Sequence, residues 1–132
     1  VVAALIDRTA HQHKDARILS LAAGHLREAD ISSAIKSAKI SEIIAFDQDS
    51  SSLAFITETY GNHRISTHHG SIRSLLGGKH GFSGFQLVYA SGLFDYLAPR
   101  TAARLTKEMF NMLAPGGRLL VANFAPTLRD IG

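Results

Sequence analysis

The chain has 132 residues, 45% of them hydrophobic and 19% charged, which supports one domain with its own core and argues against two. It has no cysteine, which excludes disulfides, thiol nucleophiles, iron–sulfur clusters and Cys-based zinc sites, and fits a cytoplasmic setting. The net charge of +3 is dispersed; its densest basic set, Arg100, Arg104 and Lys107, has the spacing of a solvated helix face, not of a nucleic-acid footprint.

Residues 1–6 (VVAALI) lack the basic leader and cleavage site of a signal peptide. No apolar run approaches the roughly 18–20 residues that span a bilayer. The chain begins without Met, as a piece excised from a longer protein would. Residues 17–22 (RILSLA) form a short apolar run bounded by Ala22-Ala23-Gly24, the pattern of a buried strand. Ile31, Ala34, Ile35 and Ala38 then recur at helical spacing. Residues 42–47 (EIIAFD) are apolar on both faces, as in a parallel sheet covered by helices on both sides. Asp49 or Ser50 can cap a helix with the inner stripe Leu53, Ile56 and Tyr60, stopped at Gly61-Asn62.

Residues 64–69 (RISTHH) alternate and are placed at a sheet edge, followed by a glycine-rich loop. Residues 85–90 (FQLVYA) form a fourth, buried strand. Pro99 starts a helix with the stripe Ala102, Leu105, Met109 and Leu113. Pro115-Gly116-Gly117 turns the chain into a fifth strand over residues 118–124. Five alternations of strand and helix predict an α/β fold, a doubly wound, mostly parallel sheet with helices on both faces. Right-handed crossovers put the ligand crevice at the carboxyl ends of the strands.

Four loops meet there. Ala22-Ala23-Gly24-His25 enters a helix, where small residues admit a ligand close to the backbone; a tight turn needing one glycine would look the same. Asp47 follows Gly24 at the separation, about 20 residues, of a carboxylate that accepts ribose hydroxyls; it can equally serve as a helix cap. Gly70-Ser71-Ile72 can meet a purine amine and face, or be an ordinary turn. Residues 91–97 (SGLFDYL) suit a pocket floor. A dinucleotide turn wants Gly-x-Gly-x-x-Gly, and only Gly24 is present, so a ligand with ribose and adenine but no phosphate fits better.

These segments together resemble the Rossmann-like S-adenosylmethionine-dependent methyltransferases. RILSLAAGHLRE (residues 17–28) looks like their first motif, EIIAFDQDSSSL (42–53) their second and HHGSIRSL (68–75) their third. FQLVYASGLFDYL (85–97) and LAPGGRLLVANF (113–124) look like the fourth- and fifth-strand motifs. The sequence departs from the family where Ser20 replaces an acid, Ala22 and Leu26 replace the outer glycines, Ser71 replaces an acid, and Gln86 stands for Asp. GHLRE (24–28) with GLFDYL (92–97) is similar to a narrower bacterial group associated with 3-hydroxy-fatty-acid methyl ester signals.

The resemblance implies the strand order 3-2-1-4-5 and binding of S-adenosylmethionine. It implies backbone at Ala22, Ala23, Gly24 and His25 against the methionine end, Asp47 on the ribose, and Gln48 with Ile72 on the adenine faces. Ser71 would lie near the adenine amine and Ser91-Gly92 beneath the sulfonium. Asp95 and Tyr96 would be on the side of a small-molecule methyl acceptor, such as a fatty-acid carboxylate; packing under the loop is their other reading. Arg27 and Glu28 either meet ligand or pair on the helix surface. The family fold has two further strands that residues 126–132 are too few to form, so the fifth strand becomes an exposed edge expected to self-associate.

His11, His13, His68 and His69 lack carboxylate partners at ligand spacing, and no metal site is predicted. Two rival functions remain, a cofactor-binding module without catalysis and a nicotinamide-dependent oxidoreductase domain.

Overall fold

The computed structural model describes residues 2–24, 26, 32–36, 39–60 and 64–122. In chain order these form α1 (Val2–Gln12), β1 (Arg17–Leu21), α2 (Ser33–Lys36), β2 (Glu42–Asp47), α3 (Ser50–Tyr60) and β3 (Ile65–His69). There follow α4 (Ile72–Leu76), β4 (Phe85–Ser91), a 3-10 turn (Phe94–Tyr96), α5 (Pro99–Asn111) and β5 (Leu113–Ala122). The sheet has the order β3-β2-β1-β4-β5 and every pairing is parallel. That is the doubly wound α/β sheet read from the sequence.

Strand alternation divides the core into two layers. Ile18 on β1, Ile43 and Ala45 on β2 and Leu87 and Tyr89 on β4 pack with Ile6 of α1, Ile35 of α2 and Leu53, Ile56 and Tyr60 of α3. Leu19, Leu21, Phe46 and Val88 face the other way, onto Leu75 of α4 and Leu105 and Met109 of α5. A strand covered on both sides is apolar on both faces: Ile18, Leu19 and Leu21 of β1 and Leu87, Val88, Tyr89 and Ala90 of β4 are buried, with Ser20 a buried polar exception. Edge strand β3 has no buried residue, in keeping with its alternating sequence.

The predicted stripe of α3 is the observed one. In α2, Ala34 and Ile35 are buried, while Ile31 and Ala38 lie outside the described residues. So do the stop at Gly61-Asn62, the pair Arg27 and Glu28, and residues 123–132. Helix α1 is an element the sequence reading left unassigned. Its buried face, Ala3, Ile6 and Thr9, admits a threonine because Thr9 Oγ1 donates to the Leu5 carbonyl at 2.8 Å. Asp7 of the same helix accepts from Ser32 Oγ at 2.6 Å and Ala34 N–H at 2.9 Å, fixing the start of α2 on α1.

Two boundaries move. Leu113 opens β5 instead of closing the stripe of α5, and Met112 takes its place in the core. Strand β5 also begins before Pro115: Phe85 pairs with Leu113 and Leu87 with Arg118, so residues 114–117 bulge out within the strand rather than preceding it. At the opposite end of the sheet from the crevice, Arg17 ties three strands. Its N–H donates to Gln86 Oε1 at 2.7 Å, its Nε to Glu42 Oε1 at 2.8 Å, and its guanidinium lies 4.4 Å from the centre of the Phe85 ring. Gln86 is therefore a strap between β1 and β4, remote from the ligand end.

Candidate functional site

At the carboxyl ends of β1, β2 and β3 one residue organises three loops. Asp47, the last residue of β2, accepts through Oδ2 from Gly24 N–H and through Oδ1 from Asp49 N–H, both at 2.9 Å. Its own carbonyl accepts from Gly70 N–H at 3.1 Å. Helix capping is done by the next carboxylate. Asp49 accepts from Ser51 N–H at 3.0 Å and from the Ser51 and Ser52 hydroxyls at 2.7 and 3.0 Å. Those hydroxyl bonds, led by that of Ser51, hold the Asp49 carboxyl below its usual range. Asp47 is thus free of the capping role the sequence left open to it. A carboxylate has about four lone-pair sites, and two backbone donors leave acceptor capacity for a ligand.

The β1–α2 loop has the backbone of a glycine-rich turn without the glycines. Ala22, Gly24 and Leu26 all have left-handed backbones, with φ of 56°, 57° and 52°. L-residues at such φ cost about 1–2 kcal/mol each, and strain of this kind gathers at ligand sites. Two observations account for its persistence. Leu26 is fully buried in the first core layer, and Ala23 N–H is held by the Phe46 carbonyl at 3.1 Å. Beside Gly24 the direction of a Cβ is empty to 4 Å. Upstream, the Ser20 hydroxyl is buried with no hydrogen-bond partner among the described residues.

A cleft of about 70 Å³ lies against these loops, lined by Ala22, Asp47, Gln48 and Ile72 together with Phe46, Gly70 and Leu93. The structure therefore brings together four of the residues expected to bind cofactor, with Gly24 joined to them through Asp47. Ala23, Ser71, Ser91 and Gly92 do not line the cleft, and His25 lies outside the described residues. Ser71 is the N-cap of α4, whose Ser74 N–H donates to Ser71 Oγ at 3.1 Å while Ser71 N–H donates to Ser74 Oγ at 3.0 Å. Gly92 N–H donates to the Ala122 carbonyl at 2.6 Å, joining the loop after β4 to β5. In the 3-10 turn, Tyr96 is 81% exposed, and Phe94 and Leu97 pack on the second core layer.

Phe46 is the lining residue that sequence reasoning missed, because an aromatic within a buried strand has no distinguishing pattern. It stacks on His68 and meets His80 and Phe82 edge-on. Gly70 is required beside it, since a Cβ there would fall 2.6 Å from Phe46 Cζ and 2.9 Å from His80 Nε2. His68 Nε2 and His80 Nδ1 are 2.8 Å apart, and His80 Nε2 lies 2.7 Å from Ser74 Oγ. Ser74 Oγ in turn donates to the Ser71 carbonyl at 2.7 Å. Burial, then the nearby His68 and Lys79, push His80 below its usual value of 6.5. This chain of polar groups buttresses the wall formed by Phe46 and Gly70. No group of three His, Cys, Asp or Glu among the described residues could hold a metal ion.

The cleft thus presents a carboxylate with spare acceptor capacity, an open face at Gly24, and apolar walls from Phe46, Ile72 and Leu93. No family model matches the chain, and no curated protein matches it either. Solved structures do. A TehB-like S-adenosylmethionine-dependent methyltransferase from Corynebacterium glutamicum is similar at 19% identity and a TM-score of 0.68, over 90% of this chain and 59% of that one. CalS10, an amino pentose methyltransferase from Micromonospora echinaspora involved in calicheamicin biosynthesis and solved with its methyl donor, is similar at 20% identity and 0.69. That match covers 93% of this chain and 48% of that one. CalH, solved with S-adenosylhomocysteine, gives 17% identity and 0.71 over 91% of this chain and 35% of that one. The chain thus has the Rossmann-like fold of these enzymes and spans about a third to three fifths of their length.

Proposed function

We propose that this chain is a single S-adenosylmethionine-binding domain serving methyl transfer to a small-molecule acceptor. The observation that carries the reading is the tie between Asp47 and Gly24 N–H, next to a loop left-handed at positions 22, 24 and 26. Such a loop is what the outer glycines of the family's first motif would permit without strain, and here it forms without them. Asp47 would accept the ribose hydroxyls, Ile72 and Leu93 would cover apolar faces, and the backbone at Gly24 would lie along the methionine end.

When bound, the cofactor supplies a sulfonium methyl, to whose carbon the acceptor's lone pair bonds while the carbon–sulfur pair stays on sulfur. Such a displacement needs alignment above all. An acceptor such as a fatty-acid carboxylate, in the bacterial ester-forming group noted above, is already a nucleophile at neutral pH and asks no base of the protein. A hydroxyl or amine acceptor would ask Asp95 or Tyr96 to take a proton. Absence of cysteine favours a cytoplasmic setting; no helix among the described residues is long and apolar enough to cross a membrane.

Calorimetric titration with S-adenosylhomocysteine, beside Asp47→Ala and with NADH as control, tests the reading. Binding weakened at least ten-fold by the substitution supports it. Binding of NADH in preference would make the chain a nicotinamide domain, and binding of S-adenosylhomocysteine without methyl transfer a silent module. Strand β5 pairs on one side with β4 and has no second neighbour among the described residues, and Val121 on it is 36% exposed. We assign that edge to a second copy of the chain; a monomer by light scattering at high concentration refutes the assignment.

A further inference from the structure

Beside the cofactor cleft runs a second depression of about 500 Å³, between α4 and α5. Ile72, Arg73 and Leu76 line it from α4, Gly77 follows them, and Thr101 and Arg104 line it from α5. Ile72 also lines the cleft, so the two spaces share a wall. Neither Arg73 nor Arg104 has a carboxylate partner among the described residues, in contrast to Arg17, which pairs with Glu42. Two unneutralised guanidiniums from different helices at one groove raise the local positive potential and offer forked donors for a carboxylate or phosphate. Ile72 and Leu76 add apolar surface. The volume is that of a small-ligand site, which lies within about 300–1,000 Å³.

We infer that this groove holds an anionic group of the methyl acceptor, a carboxylate or phosphate distinct from the atom that receives the methyl. The inference rests on the methyltransferase reading and narrows its acceptor. An anion gripped by two guanidiniums has its lone pairs engaged in hydrogen bonds and is a poor nucleophile, so the reacting atom lies at the other end of the molecule, past Ile72. A simple fatty acid can seat its carboxylate in the groove but then offers no second nucleophile, so it is a ligand of the groove and not the acceptor. The acceptor is an amphiphilic anion with a separate nucleophile.

The test uses octanoate and octyl phosphate as probes of the groove, followed through the Nε–H resonances of Arg73 and Arg104 and the Ile72 methyls. Saturable shifts at these groups are expected, with whichever head group binds tighter identifying the anion. Arg73→Gln with Arg104→Gln should weaken probe binding at least ten-fold. Arg100→Gln, on α5 but outside the groove, should leave it unchanged. S-adenosylhomocysteine is titrated in parallel against every variant. Cofactor binding with no saturable probe shift overturns the groove assignment and leaves the methyltransferase reading standing. Probe binding by a folded protein that does not take S-adenosylhomocysteine refutes the acceptor role. Equal weakening by Arg100→Gln reduces the effect to net charge and refutes the site.

Discussion

Replacing Asp47 by Ala perturbs the protein in two ways that can be measured apart. The carboxylate accepts two backbone N–H groups, from Gly24 and Asp49, both at 2.9 Å. A hydrogen bond to a charged group contributes about 1.5–3 kcal/mol; for a half-exposed acceptor the lower part of that range applies, and water recovers some of it. The two bonds together are then worth about 2 kcal/mol. In a domain of this size each kcal/mol shifts Tm by about 3–5 °C, so Asp47→Ala is expected to melt about 6–10 °C lower. The strained β1–α2 loop loses its outer tether at the same time. Asp47→Asn keeps one acceptor oxygen but turns an amide donor toward the second N–H, and is expected to fall between the two. Circular dichroism melts give the structural part, and calorimetry with S-adenosylhomocysteine below both melting ranges gives the binding part. A Tm within 1 °C of the parent would show that the carboxylate does not tether the loop. Unchanged affinity in a folded Asp47→Ala would remove the ribose role.

Ala22→Gly releases left-handed strain of about 1 kcal/mol and costs about 0.5–1 in chain entropy, so urea unfolding should find it neutral or slightly stabilising; a loss above about 1 kcal/mol would contradict the strain. Leu26→Gly releases similar strain but empties a fully buried site, and a net loss of about 3 kcal/mol is expected in the same assay. Ser20→Ala removes a buried hydroxyl that lacks a partner among the described residues and should raise stability by about 1 kcal/mol, whereas destabilisation would point to a bond made in solution. Because the folded protein holds His80 below 6.5, its contribution to stability is intact above that pH. As the pH falls below it, the unfolded chain takes up a proton that the folded one resists, and stability declines until the folded pKa is reached. Urea midpoints at pH 8, 6.5 and 5.5 should show this slope in the parent and lose it in His80→Gln. Asp49, also lowered, enters only as its own carboxyl protonates, below about pH 4, and so does not confuse the comparison.

The elements that patterning located well are those buried on both faces or along a long stripe. Strands β1, β2 and β4 had to be continuous apolar runs, and α3 had to repeat Leu53, Ile56 and Tyr60, because parallel packing leaves no alternative. Periodicity fails where an element is too short to have a period. Helix α4 is five residues long and is set by the Ser71–Ser74 capping box, with serine at the position where glutamate or glutamine is the recognisable signal. Helix α1 went unassigned: its buried face is Ala3, Ile6 and Thr9, and Thr9 looks polar until its hydroxyl is seen to be bonded to Leu5.

The same distinction separates the parts of the site. Asp47 was legible because its distance from Gly24 in the chain is set by one crossover, and the crossover length is a property of the fold. Its freedom from capping was not, since Asp47 and Asp49 are equivalent in composition and only the bonds of Ser51 and Ser52 assign the cap to Asp49. The missing glycines point the same way. Sequence alone treats Ala22 and Leu26 as losses from a binding motif, because glycine is the residue that reaches a left-handed backbone without strain. The structure keeps that backbone at both positions, held by the burial of Leu26 and by the bonds from Ala23 to Phe46 and from Gly24 to Asp47. What glycine would grant locally is here imposed by the surroundings. Removing one of those restraints should therefore disturb the loop more than restoring glycine at Ala22.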